Sequence, residues 1–414
     1  MRKIYLIIIA LLFLGNSYAQ ELVTFARLSD KWMLINLNEV RIFGNEFDYI
    51  YSPHFHYTSP PSAKSIICYP SDKTIRFCTK IGNGYFDFSG NFLFPLHKNK
   101  TLDFHNGFAI IENSIGYNYI NKSGKLINNE NFIKAYDFSD NLALVKTKSG
   151  WNYIDTTGNF LFVKGLKKAF SFNDGFARVK VKSGWGIINT KGKLVFEPLY
   201  QNLDKFSEDK LAYLDYGLWG FINTKGDTIT KAHFEKVRKF KNGMAAVRKN
   251  NNWGFINKNG EQVIECRFEN IKDYSEGVTI VHKYNSVAII NNEGKPLGSY
   301  VNADIKSCKN GILRIKQNDL WGYLNKDGSI LIEPTFQNAE DFSEGLARVK
   351  KDDKWFFINE KGENPFNNFF NGAYDFTNGY ARVKVNDKWG LIDKTGEFVI
   401  QAKYRNLTNI FILE

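Results

Sequence analysis

An all-β array of stacked units is the fold class this sequence predicts, and three observations carry the prediction. Trp151, Trp185, Trp219, Trp253, Trp321, Trp355 and Trp389 stand 34 residues, or a multiple of 34, apart. In the same register the fifth position is Asn or Asp (Asp87 to Asp393) and the eighth is Gly (Gly90 to Gly396) in all ten units. Short runs such as Gly175 to Lys180 alternate apolar with basic residues, the period of a strand. A fixed step of this length means units that bury little alone and stack on their neighbours.

The chain begins with Met1-Arg2-Lys3, an apolar run from Ile4 to Leu14, and Ser17-Tyr18-Ala19. A basic start, a short apolar core and a small-residue end predict a signal peptide at 1–19, so that the protein is exported to the periplasm, the cell surface or the medium. The run is too short for a comfortable membrane helix, and no later stretch is long enough, so no transmembrane segment is expected after cleavage. The whole chain carries a formal charge of +12, and removing Arg2 and Lys3 leaves +10. A basic surface favours acidic partners, with no specific nucleic-acid partner indicated.

Residues 20–82 read as a degenerate first repeat, with Trp32 as its worn tryptophan and an irregular insertion from Arg41 to Thr74. Residues 83–414 read as ten tandem units, the last one truncated. Asn83, Tyr117 and Val287 stand where Trp is expected. Within a unit, Asn-x-x-Gly between two apolar runs is a hairpin turn, because Asn bonds the turn backbone and Gly takes the left-handed conformation. The strand before each Trp, such as Gly345 to Lys350, completes a three-stranded meander. A linking segment follows, with two aromatics six apart, as in Phe234 with Phe240 and Phe336 with Phe342. One helical turn or an irregular loop there would turn both rings inward.

The Trp strand is apolar on both faces, as Trp253 with Phe255 and Gly254 with Ile256 illustrate. That marks a central strand, with the tryptophans as core and the adjacent Gly leaving room for a side chain of the next unit. More than ten units exceed the four to eight blades of ordinary propellers, so an open superhelical array is favoured over a closed β-propeller. Both chain ends then act as worn caps.

These residues resemble a known family. Trp219-Gly220-Phe221-Ile222-Asn223-Thr224-Lys225-Gly226, with its copies at Trp253 and Trp389, is similar to the bacterial WG-repeat family, also called KWG repeats. The resemblance implies an array of β units, often exported, with binding or scaffolding roles and no family-wide catalytic residues.

Chemistry is sparse in the sequence. His54-Phe55-His56 would place two imidazoles on one strand face, but spacing assigns no third ligand, so no metal or other cofactor is expected. Acidic residues such as Asp174, Glu276 and Glu344 occupy turns before the repeated Gly. Among Cys68, Cys78, Cys266 and Cys308, the pairing of Cys68 with Cys78 is the easiest, and the other two read equally as a bridge or as buried thiols.

One feature suggests binding. Arg178 with Lys180, Arg314 with Lys316, Arg348 with Lys350, and Arg382 with Lys384 take outward positions of the leading strands, and Lys146 and Arg248 add single rungs. Leu144, Ala246 and His282 interrupt the ladder. Stacking would align the rungs into a stripe for an anionic glycan or cell-envelope polymer. The leading expectation is a non-enzymatic scaffold for a protein partner, with that polymer as the alternative and an enzyme built on the insertion as the least favoured reading.

Overall fold

The computed structural model describes residues 21–27, 32–39, 41, 49–51, 65–68, 72–79, 82–87, 91–163, 165–408 and 410–413. The leader segment and the His54/His56 pair lie outside these residues. Among the described residues every regular element is a β-strand, and no helix is long and apolar enough to cross a membrane.

The strands form eleven small sheets among the described residues, mostly of four strands taken in chain order. In one of them Lys236–Val237, Met244–Lys249, Asn252–Asn257 and Gln262–Phe268 pair antiparallel in sequence. The expected meander therefore gains a fourth strand. The linking segment holds no helical turn but a two-residue strand that pairs with the next leading strand. Each sheet thus straddles two sequence repeats. The next hairpin turns at Asn242-Gly243 and its copies, where both residues have positive φ (53° and 76° here) as a type I′ turn requires.

The core lies between sheets. Phe221 and Phe234 of one sheet pack with Phe240, Ala245, Val247 and Ile256 of the next. The linking aromatics do point inward: Phe240 meets Phe221 edge-on at 5.0 Å, as Phe342 meets Tyr323. Buried tyrosine hydroxyls need acceptors, and Tyr153 and Tyr323 donate to the carbonyls of Phe170 and Glu340.

The glycine after Trp has a different cause from the one expected. A Cβ on Gly254 would lie 2.4 Å from the carbonyl oxygen of Ile264 and 2.7 Å from the nitrogen of Cys266. Both belong to the fourth strand of its own sheet, not to a side chain of the next unit. The register explains the approach, since Trp253 pairs with Phe268 and Phe255 with Ile264, leaving three residues bulged against one.

The chain ends meet. Glu21–Arg27 pairs with Phe411–Leu413 and with Asn406–Leu407, and Trp32–Asn36 completes that sheet. The first and last strands therefore share one sheet instead of forming two separate caps, a joining that the propeller alternative uses. Ala26, Met33 and Ile35 from the start of the chain pack with Leu391, Ile400 and Leu407 from its end.

The expected pairing of Cys68 with Cys78 is not formed, and Cys266 and Cys308 take the free-thiol alternative. The register sets Ile66, not Cys68, opposite Cys78, and Cys78, Cys266 and Cys308 are free thiols.

Candidate interaction surfaces

The basic ladder divides into two rows with different surroundings. Arg178, Arg314, Arg348 and Arg382 face the following sheet. Each donates through Nη1 to a backbone carbonyl there: Arg314 to Ala339 at 2.5 Å, Arg348 to Ala373 at 2.9 Å, Arg178 to Leu203 and Arg382 to Leu407. Nε then reaches a carboxylate two residues beyond that carbonyl, Arg314 to Asp341 and Arg348 to Asp375, both at 2.6 Å. The guanidinium planes also cover rings, with Arg382 3.7 Å from Tyr374 and Arg348 5.2 Å from Trp355. Arg314 and Arg348 are only 17% exposed, so this row is not an outward stripe. Alternation gave the face correctly, but that face is covered by the neighbouring sheet. Burial lowers the Arg178 pKa below its ordinary value, with Asp204 opposing.

Two gaps in this row are filled from elsewhere. Where the leading strand has Ala246 or Ile280, the cation comes from the linking segment. Arg238 donates to the carbonyl of Ile271 at 3.1 Å, and Lys272 to that of Ile305 at 2.5 Å. A sheet-to-sheet clamp is kept while its residue changes.

The second row stands beside the tryptophans as cross-strand partners: Lys146 with Trp151, Lys180 with Trp185, Arg248 with Trp253, and Lys316, Lys350 and Lys384 with Trp321, Trp355 and Trp389. The last three lysines bond aspartates of their own turns, Asp319, Asp353 and Asp387, at 2.7–2.9 Å. Arg248 bonds Asn251. Trp185 is buried, whereas Trp151, Trp219, Trp253, Trp321, Trp355 and Trp389 are half-buried. The expected core role moves to the third and fourth positions of the strand, Phe255 and Ile256, at 1% and 0% exposure. Trp stands near the strand end, where the sheet no longer covers its ring.

The turn acids act between sheets. Glu276 accepts from the N–H groups of Asn310 and Gly311 at 2.8 and 2.7 Å, and Glu208 and Glu344 accept from Gly243 and Gly379. Those donors lower the Glu276 pKa, Gly311 first. Beside it Cys308 is buried, and burial followed by the Glu276 charge pushes its thiol up to about 12, which suits packing and not nucleophilic attack.

One surface was missed at the sequence level. Phe92, Leu126, Phe160 and Leu194 occupy the tenth position of four consecutive units and are 57%, 52%, 40% and 41% exposed. Phe92 also lines an open pocket of about 440 Å³ with Phe94, Pro95 and Leu96. In the next two units the position turns to Thr228 and Gln262, and further on it is Pro296, Ile330, Asn364 and Phe398. That switch was visible in the alignment of repeats, but reading the segment as an aliphatic pair concealed which residue faced outward.

The WG containing repeat family matches residues 119–151, 151–184, 185–216, 219–253, 253–286, 321–355, 370–389 and 389–410, together more than half of the chain. The chain belongs to the WG-repeat family. No curated protein matches it. Solved structures similar to this WG-repeat chain include BamB from Moraxella catarrhalis, 14% identical over 63% of this chain and 90% of that one, with a TM-score of 0.30. A eukaryotic initiation factor is 12% identical over 76% and 95%, at 0.40, and Kluyveromyces lactis Hsv2p is 15% identical over 63% and 97%, at 0.29. Likeness at these scores transfers no function to the WG-repeat chain.

Proposed function

We propose that this protein is an exported, non-enzymatic scaffold that docks a protein partner. Its polar side chains are largely committed to joining sheets: the arginine clamps, the turn acids and the tyrosine hydroxyls all bond the backbone of a neighbour. The apolar row is the observation that carries the reading. Phe92, Leu126, Phe160 and Leu194 keep large apolar surface in water across four adjacent units, and an ordered patch of this kind marks a protein-binding face. Covering four half-exposed side chains is worth about 1 kcal/mol apiece.

Replacing all four by Ser tests the proposal. Wild type and variant, immobilised side by side with matched melting temperatures, are exposed to an extract of the source cells. A protein retained by wild type and lost by the variant is the expected result. The same proteins retained by both would overturn it. Export is checked separately by the mass of the mature chain, expected to start at Gln20.

A further inference from the structure

The second basic row is neutralised in the later sheets and is not in two earlier ones. Lys134 stands directly opposite Lys146, and Lys168 directly opposite Lys180. In the later sheets the residues facing the equivalent lysines are Asp304, Asn338 and Gly372. The turns differ in parallel. Lys148-Ser149-Gly150 and Lys182-Ser183-Gly184 stand where Asp319, Asp353 and Asp387 bind their lysines. Among the described residues no ion pair reaches any of these six lysines. Asp137, the nearest acid in sequence to Lys134, is turned to His105 of the preceding sheet, 3.8 Å away. A third like pair, Lys236 opposite Arg248, is different, because Arg248 is tied to Asn251 and Glu235 bonds the same turn.

Like charges directly across a strand pair cost stability. Keeping two such pairs in adjacent sheets gives the region a field that an anion would relieve. Each pair also adjoins aromatic rings, one of them partly exposed in each sheet. Lys146 and Lys180 lie 5.6 Å from the rings of Trp151 and Trp185. Tyr136 and Phe170 stand 6.0 and 5.6 Å from those same rings, and each is 43% exposed, although the Arg178 guanidinium covers part of Phe170 at 4.1 Å. The assembly of two cations, a serine turn and a flat ring is therefore repeated, and packed sheets repeat about every 10 Å.

We propose that Lys134, Lys146, Lys168 and Lys180, together with Tyr136 and Phe170, form a binding surface for a linear acidic polysaccharide. A polysaccharide charged once per disaccharide presents an anion at about the sheet-to-sheet pitch, and between the anions it offers pyranose C–H faces that lie flat on aromatic rings. Nucleic-acid phosphates come more closely spaced, and a bilayer presents no such period. This surface lies at the Trp end of the strands, away from the apolar row, and does not depend on the protein-partner reading.

Affinity for hyaluronate, which carries one carboxylate per disaccharide, measured across a salt series, tests the proposal. Lys134→Gln with Lys146→Gln, Lys168→Gln and Lys180→Gln is expected to weaken binding at least tenfold and to flatten its salt dependence. Removing like-charge pairs leaves folding intact, which melting confirms. The control Lys316→Gln, Lys350→Gln, Lys384→Gln lowers net charge similarly and is expected to change affinity less than twofold. Tyr136→Ser with Phe170→Ser is expected to weaken binding at least threefold with the salt slope unchanged. Equal losses from both lysine sets would reduce the effect to net charge and overturn the proposal. So would an inert aromatic variant, or binding of duplex DNA or anionic phosphatidylglycerol vesicles as tight as that of hyaluronate.

Discussion

Removing the Arg348 guanidinium separates a clamp from a surface charge. Its Nη1 donates to the Ala373 carbonyl at 2.9 Å and its Nε meets Asp375 at 2.6 Å, while the plane covers Trp355 and Tyr374 at 5.2 and 5.6 Å. The charged hydrogen bond to a covered carbonyl is worth about 1.5–3 kcal/mol. Asp375 is 44% exposed, so that ion pair adds about 1 kcal/mol or less. The rings add about 0.5–1 kcal/mol each. Arg348→Ala is therefore expected to cost about 3–5 kcal/mol, and Arg348→Lys, which keeps charge but loses the planar fork, about half of that. Arg248→Ala, taken from the same sequence ladder but bonded only to its own turn, should cost about 0.5 kcal/mol. Urea unfolding followed by tryptophan fluorescence reads all three. An Arg348→Ala variant within about 0.5 kcal/mol of wild type, or Arg248→Ala costing as much as Arg348→Ala, would refute the clamp.

Other perturbations follow the same geometry. Gly379 and Gly396 share a left-handed backbone (φ 82° and 86°), but a Cβ on Gly396 would lie 2.6 Å from Phe366 Cγ while Gly379 has open space. Gly379→Ala should cost about 1–2 kcal/mol, and Gly396→Ala about 1–3 kcal/mol more from overpacking, read as midpoint shifts. Leu407 is fully buried in the sheet that joins the chain ends, so Leu407→Ala should cost about 2–5 kcal/mol and expose residues 21–27 to hydrogen exchange. Val23→Cys with Phe411→Cys should cross-link intramolecularly under oxidation, and failure would argue against the shared sheet. The Glu276 pKa is lowered below its ordinary 4.5 by the Gly311 and Asn310 N–H groups. Its contribution is complete above about 4.5 and is lost as pH falls through the lower folded value. Glu276→Gln should therefore melt below wild type at pH 7, with the gap narrowing as the pH falls below 4.5.

Much of the fold was legible because the repeat samples one pattern ten times. The Asn-x-x-Gly turn, the leading strand and the inward linking aromatics each depend on a few adjacent residues, and the structure has all three. The clamps were not legible. Arg178 donates to Leu203 and Arg348 to Ala373, 25 residues on and in another sheet, while Arg238 and Lys272 substitute from a different strand. Alternation reports which face a residue takes but not what covers it, so Arg348, which clamps the next sheet, and Lys350, which bonds its own turn, read alike. The half-burial of the tryptophans has the same origin, since the extent of a sheet's cover is set by its neighbour.

The sequence by itself determined the unit, its strands and turns, and membership of the WG-repeat family, because these follow from local spacing and residue type. The tertiary structure decided that the two chain ends share one sheet, that the glycine after Trp admits the bulged backbone of the fourth strand of its own sheet, and that one basic row joins sheets while part of the other stays unneutralised. Each of these depends on which distant segment arrives alongside. That is settled by packing between sheets, and a 34-residue period does not encode it.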